Sequence, residues 1–169
     1  AGHDINYIGM TGVLNAIGKD GQPPVPPLNM IGDFGGGSMF LVNGILAALV
    51  ERGRTGEGNI VDAAIVDGTN SLMSFVHGMA GLGQWRTKRE ANLLDGAMPF
   101  YRCYMTADGK FMAVGCIEPQ FFAAMMDRLP IDKDAYGGQH DRTAWAKQHE
   151  MLEDVFATKT RDAWEVIFA

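Results

Sequence analysis

The feature that most constrains this chain is the segment Leu28–Gly53, in which a glycine-rich stretch leads directly into a long apolar run. From Met39 to Val50, apolar residues recur at three- and four-residue steps. This spacing predicts a largely buried helix of about fifteen residues. Gly53 is the expected C-terminal stop, because glycine adopts the left-handed conformation that ends many helices.

Three consecutive glycines follow Asp33 and predict a turn at the start of that helix: Gly35, Gly36 and Gly37. Unpaired backbone N–H groups at a helix start attract anions, so this turn is a candidate site for stabilising an oxyanion. A purely structural interpretation is also open: Asp33 caps the turn, and the glycines only permit close packing.

Composition narrows the classes of function. The chain has 169 residues, 47% of them hydrophobic and 20% charged, which predicts a packed core rather than disorder. A net charge of −6 without a basic cluster argues against nucleic acid as a partner. Because no uninterrupted apolar run approaches eighteen residues and no signal peptide is evident, no membrane span is expected.

The two cysteines, Cys103 and Cys116, lack metal-ligand spacing. They are interpreted as core thiols in a reducing compartment, the cytoplasm or, in a eukaryote, a peroxisome or mitochondrion. The four histidines are scattered, so no metal site is predicted. His140 and His149 follow no pairing pattern and are interpreted as surface residues.

Proton-handling groups are concentrated near the N-terminus, where His3, Asp4 and Tyr7 lie within five residues. The i, i+4 spacing of His3 and Tyr7 would put both on one face if the segment is helical. A solvated terminus, with the histidine satisfied by Asp4, is the structural alternative.

The middle of the chain predicts a short strand at Asn59–Val61 and a helical segment over residues 62–79. Gly68 and Gly78 interrupt that helical pattern, at a cost of about 1 kcal/mol each unless another backbone packs against them. A polar stretch over residues 81–96 is the candidate linker between two domains.

The C-terminal part predicts a β-hairpin, with strands Phe100–Thr106 and Lys110–Ile117 around an Asp-Gly turn. A helix Pro119–Leu129 should follow, with Glu118 at its N-cap. Two further helices are predicted, one from a cap at Asp141 to about residue 157 and one capped by Thr160.

Four motifs in order along the chain are similar to those of one family: GHDINY at Gly2–Tyr7, GDFGGGSM at Gly32–Met39, RTGEGNIVDAAIVDG at Arg54–Gly68 and AVGCIEPQF at Ala113–Phe121. Together they resemble the α-methylacyl-CoA racemases of the family III CoA-transferase (CaiB/BaiF) superfamily. The resemblance covers essentially the whole chain.

The resemblance implies an α/β fold and an interlocked homodimer. Residues 1–63 would be the later part of a large Rossmann-like α/β domain, 64–100 a linker with a helix, and 101–169 most of a small α+β domain. Members of the family are about twice this length. We therefore expect the chain to be a fragment of a longer protein. Much of the CoA pocket would lie outside the fragment, so loss of activity in the isolated chain is one expected outcome.

By the same resemblance, the protein inverts the carbon next to the carbonyl of a 2-methylacyl-CoA thioester by two-base proton transfer through an enolate. CoA is part of the substrate, and no separate cofactor is implied. His3 matches the family's histidine base, Asp33 the aspartate on the opposite face, and Glu118 the glutamate that pairs with the histidine. Tyr7 is a possible supporting residue.

Two alternatives remain at this stage. A CoA-transferase on the same scaffold would move CoA between carboxylic acids through an aspartyl-CoA thioester, with Asp4 as the nucleophile. An inactive fragment would retain only apolar surfaces that mediate dimerisation. The paired GHDINY and GDFGGG motifs favour the racemase.

Overall fold

The structure is a computed structural model that describes residues 2–169, and it divides into two compact units between Arg89 and Glu90. The division falls within the predicted linker, 64–100, so residues up to 89 belong to unit 1 and residues from 90 onward to unit 2. The chain combines helices with a small sheet, which confirms an α/β class for the whole. In unit 1 the described residues form helices and loops and contain no strand.

Unit 1 is built from a π-helical segment and five α-helices. The helices, in chain order, are α1 Asp4–Met10, α2 Val13–Ala16, the π-helical segment Met30–Ser38, α3 Met39–Thr55, α4 Ile65–Leu72 and α5 Ser74–Gly81. Its small buried cluster consists of Ile8, Val13 and Met73. The predicted strand at Asn59–Val61 is wrong: these residues are unpaired coil, and the side chain of Ile60 is 98% exposed.

The predicted helix after the glycines is present, but three details of the prediction are wrong. The glycines do not form a turn, because the π-helical segment and α3 run as one continuous helix over Met30–Thr55. The helix ends at Gly56, in the left-handed region at φ +76°, and not at Gly53. None of the α3 side chains is buried, although Gly44 packs closely against Val61.

The continuous helix Met30–Thr55 bears on the prediction that the chain has no membrane span. By length and composition alone, Met30–Thr55 is long and apolar enough to cross a bilayer, although no single apolar run in the sequence suggested it. Buried core helices of soluble proteins and signal sequences share this property, so one such helix is weak evidence for a span.

The centre of unit 1 is a close crossing between the π-helical segment and α4. A β-carbon at Gly68 would lie 2.7 Å from the carbonyl carbon of Gly36, and one at Gly36 would lie 2.7 Å from the backbone nitrogen of Thr69. Another backbone therefore packs against Gly68, as the sequence allowed. Gly78 has open space around it, and the predicted single helix breaks at Met73 into α4 and α5.

The first secondary-structure element of unit 2 is the predicted hairpin. Strands β1 Tyr101–Met105 and β2 Phe111–Gly115 pair antiparallel, with Cys103 opposite Ala113. The helices that follow are α6 Pro119–Arg128, α7 Lys133–Tyr136, α8 Trp145–Phe156 and α9 Arg161–Phe168. An aromatic core joins them, in which Tyr104 stacks on Phe156 at 5.3 Å between ring centroids.

Most predicted boundaries in unit 2 are confirmed. The Thr160 hydroxyl accepts the N–H of Ala163 and caps α9. The Asp141 carboxylate instead accepts the N–H of Thr143 in a turn, so α8 begins later than expected, at Trp145. Cys103 is exposed on the outer face of β1, so its interpretation as a core thiol is wrong.

Candidate functional site

The predicted base, His3, is the N-cap residue of α1. Its backbone N–H donates to Oδ1 of Asn6 at 3.0 Å, and its carbonyl accepts the N–H of Asn6 at 2.9 Å. This reciprocal pairing with Asn6 fixes the backbone at the helix start. The side chain of His3 is exposed and remains available for proton transfer.

Tyr7 lies one helical turn after His3, and its N–H points to the His3 carbonyl at 3.4 Å. The segment is therefore helical, as the i, i+4 spacing required. The half-buried Tyr7 ring packs on the N-terminal backbone, since a β-carbon at Gly2 would lie 3.3 Å from its Cζ. This contact supports the helix start, and a role in chemistry stays a prediction.

Asp4 is buried, with 9% of its surface exposed, and its carboxylate joins α1 to the π-helical segment. Its Oδ2 accepts the backbone N–H of Asp33 at 2.7 Å. His3 is covalently adjacent to Asp4, so this one hydrogen bond brings the backbones of the predicted base and the predicted acid together.

Asp33 lies in the first turn of the continuous helix and is half-buried. Its carbonyl accepts the Ser38 hydroxyl at 2.8 Å, and its carboxylate lies 3.5 Å from the amide nitrogen of Asn29. The backbone of Asp33 is thus held by two strong contacts, while its carboxylate makes one long contact and remains largely free to react.

The three glycines cannot serve as a helix-start anion site in the way predicted. They lie inside the π-helical segment, where N–H groups pair with carbonyls five residues earlier, as Phe34 does with Asn29 at 3.2 Å. The orphan N–H groups belong to the first turn, over residues 30–33, and that of Asp33 is already bound to Asp4. Gly36 instead provides the contact with α4.

Glu118 is in unit 2, at the N-cap of α6, followed by Pro119 at the first helical position as predicted. Its carbonyl accepts the N–H groups of Phe121 and Phe122, both at 3.0 Å. Its exposed carboxylate makes no capping hydrogen bond, so the helix does not consume it.

Other chemistry has little support among residues 2–169. No group of three or more His, Cys, Asp or Glu side chains in that range is placed to hold a metal ion. Burial raises the pKa of the Cys116 thiol, helped by the nearby charge of Glu118, so this thiol is a poor nucleophile. An open groove of about 430 Å³ lies beside the hairpin, but none of the predicted site residues lines it.

Sequence reasoning missed the bond between Asp4 and Asp33, because it considered Asp4 as a partner of His3, a possible supporting residue or an alternative nucleophile. The available signal was the spacing of Gly32 and Gly36, which indicates a helix face where other groups approach closely. Both glycines are buried, one against Asp4 and the other against Thr69.

Comparison with known proteins identifies the family. The sequence profile of CoA-transferase family III matches residues 1–169. The chain belongs to CoA-transferase family III.

Among characterised proteins, the chain is 46% identical to the alpha-methylacyl-CoA racemase of Mus musculus and 45% identical to that of Homo sapiens. Each alignment covers 99% of this chain and 44% of the relative. The succinyl-CoA:glutarate CoA-transferase of Mus musculus is 28% identical over 99% of this chain and 39% of its own length. The chain thus spans under half the length of the curated relatives it matches.

Solved structures agree on the fold. A CaiB/BaiF family protein from Brucella suis superposes with a TM-score of 0.76 at 21% identity, covering 99% of this chain and 45% of that one. A second structure, from Mycobacterium tuberculosis, gives a TM-score of 0.73 at 20% identity, covering 99% and 43%.

Proposed function

We propose that the protein containing this chain is an α-methylacyl-CoA racemase, which inverts the α-carbon of a 2-methylacyl-CoA thioester. The observation that carries the proposal is the difference in identity within one family. The chain is 45–46% identical to two proteins named as racemases but only 25–28% identical to two succinyl-CoA:glutarate CoA-transferases, over the same 99% of the chain.

In the proposed reaction, His3 removes the α-proton from one face of the substrate while Asp33 delivers a proton to the other. The reverse direction exchanges these roles. The two groups must therefore begin each turnover in opposite protonation states. The hydrogen bond between Asp4 and Asp33 supports this assignment, because it holds the two candidate groups on neighbouring backbones.

Removing a proton next to a thioester creates an enolate, whose oxygen needs donors aimed at it. The glycines at 35–37 lie inside the helix, so their N–H groups are not assigned this task. We assign it to the N–H groups of residues 30–32, because the first turn of a helix leaves such groups without a partner inside the helix and this turn contains Asp33. We assign Glu118 the role of pairing with His3 on the match of the AVGCIEPQF motif alone.

CoA transfer is the second candidate, because relatives named as CoA-transferases also match nearly the whole chain. It requires a carboxylate that can attack the thioester carbonyl. Asp4, which aligns with that nucleophile in the resemblance, is buried and uses one carboxylate oxygen to hold Asp33. These two observations favour the racemase.

A role in assembly is the third candidate and is supported by the apolar side chains on α3. Their exposed fractions run from 37% at Phe40 to 68% at Val50. Size-exclusion chromatography and CoA-binding measurements on the isolated chain would separate a dimerising module from a CoA-binding one. A homodimer of the full-length protein is part of the proposal.

The deciding experiment is proton exchange in D₂O, followed by NMR, with the full-length protein and a 2-methylacyl-CoA thioester. No carboxylic acid acceptor is present. The racemase predicts deuterium at C2 together with loss of stereochemistry. If C2 keeps its proton and CoA passes to an acid added afterwards, the proposal is wrong and the transferase is correct.

A further inference from the structure

The buried carboxylate of Asp4 has no part in the proton transfers proposed above. Asp4 is 9% exposed, its Oδ2 accepts the N–H of Asp33 at 2.7 Å, and its Oδ1 is buried without a hydrogen-bond partner among the described residues. Burying a carboxylate with one unsatisfied oxygen is unfavourable, and an amide or an apolar side chain costs less to bury. Stability alone therefore does not account for an aspartate here.

The N–H of Asp33 needs an acceptor from outside the helix. In the first turn of a π-helix, backbone N–H groups have no carbonyl five residues earlier within the helix. The residue five positions before Asp33 is Leu28, which has a positive φ of 60°, and the acceptor that the Asp33 N–H contacts is a side chain. The carboxylate of Asp4 fills this position.

The Asp4 carboxylate also packs closely against Gly32. A β-carbon at Gly32 would lie 2.8 Å from Cγ of Asp4 and 2.8 Å from Cγ2 of Ile8. Since the Ser38 hydroxyl binds the Asp33 carbonyl at 2.8 Å, the backbone of Asp33 is fixed at both its N–H and its C=O. The backbone N–H of His3, in contrast, is held by Oδ1 of Asn6 and not by the Asp4 carboxylate.

We propose that Asp4 is a positioning residue that sets Asp33 at the correct face of the substrate, and that it is not a nucleophile. This inference rests on the proposed racemase function. It predicts that losing the Asp4 carboxylate harms only the proton transfers that Asp33 performs, because the support of His3 is separate.

The test measures α-proton exchange in D₂O for each pure enantiomer, using the full-length protein. Asp4→Ala removes the acceptor and should lower exchange from one enantiomer about 10- to 100-fold, the size expected for a misplaced catalytic group. Exchange from the other enantiomer should fall less than about threefold. Asp4→Asn keeps an oxygen acceptor and should recover most of the lost exchange. Asp62→Asn, at an exposed carboxylate in the same unit, is the matched control and should exchange like wild type.

Gly32→Ala provides a second, independent variant, since its methyl group displaces the Asp4 carboxylate without changing its chemistry. Circular dichroism at the assay temperature restricts the comparison to folded variants. The proposal predicts the same selective defect as in Asp4→Ala.

Three results would overturn it: equal losses for both enantiomers in folded Asp4→Ala, no recovery in Asp4→Asn, or unchanged exchange with loss of CoA transfer. Failure of the racemase function is a distinguishable result, because wild-type protein would then exchange neither enantiomer.

Discussion

The backbones of Gly68 and Gly36 are in direct contact where α4 crosses the π-helical segment. A β-carbon at Gly68 would lie 2.7 Å from the carbonyl carbon and 2.9 Å from the α-carbon of Gly36. The crossing lies three residues from Asp33 in the same helix, so the packing of α4 helps to determine where the predicted acid lies.

We predict that Gly68→Ala destabilises unit 1 by about 2–4 kcal/mol, because the methyl group meets backbone that has no room to move. Gly78→Ala is the matched control: it lies in α5 with nothing within 4 Å of its β-carbon position. It should stabilise the protein by about 0.5–1 kcal/mol through helix propensity. Urea unfolding of both variants measures these changes in the free energy of unfolding, and equal effects at the two glycines would refute the close crossing.

A second prediction concerns His149, which was expected on the surface but is half-buried in unit 2. Its Nε2 lies 2.9 Å from the carbonyl oxygen of Ala97, which can only accept, so Nε2 carries the proton. Its Nδ1 lies 3.2 Å from the Tyr104 hydroxyl. Burial is the largest effect and lowers the pKa of His149. The hydrogen bond with Ala97 partly opposes it, the charge of Arg102 lowers the pKa further, and Glu153 and Glu90 have smaller raising effects.

The pKa of His149 in the folded state lies below its unfolded value of about 6.5. At pH values near and below about 6.5 the unfolded chain therefore binds more protons than the folded chain. The free energy of unfolding should therefore fall as pH decreases below about 6.5, and this contribution should be intact above it. Urea titrations at pH 7.5 and pH 5 measure the difference in wild type and in His149→Gln. The variant should show a smaller loss at pH 5, and an identical loss in both proteins would exclude His149 as the cause.

A third prediction separates structure from chemistry at Glu118. Its carboxylate makes no capping hydrogen bond to α6, so Glu118→Gln should change the free energy of unfolding by no more than about 0.5 kcal/mol. Exchange of the α-proton should nevertheless fall at least tenfold if this carboxylate orients His3. Enzyme kinetics and urea unfolding on the same preparation provide both values. Wild-type exchange in the variant would remove Glu118 from the mechanism.

Local features of the sequence were read more reliably than burial. The hairpin, the Pro119 helix start and the Thr160 cap all follow from short patterns whose partners lie within a few residues. The apolar spacing of α3 predicted its helix correctly but not its surroundings, because burial depends on distant residues that must cover it.

The candidate site was predicted in its residue types but not in its arrangement. Spacing and resemblance selected His3 and Asp33. The hydrogen bond from the Asp33 N–H to Asp4, the residue next to His3, depends on the packing of α1 against the π-helical segment. Three glycines in a row usually indicate a turn, but here they lie inside the π-helical segment, where Gly36 closely approaches Thr69. No local rule anticipates that outcome.

The central claim is that His3 and Asp33 act on opposite faces of one carbon. The most direct test is deuterium exchange from each pure enantiomer in wild type, His3→Ala and Asp33→Asn of the full-length protein. We predict that each variant loses exchange from one enantiomer by about 10²- to 10⁴-fold, that the two variants lose opposite enantiomers, and that both bind CoA normally. If both variants lose the same enantiomer, or if either exchanges both enantiomers like wild type, the two-base account is contradicted.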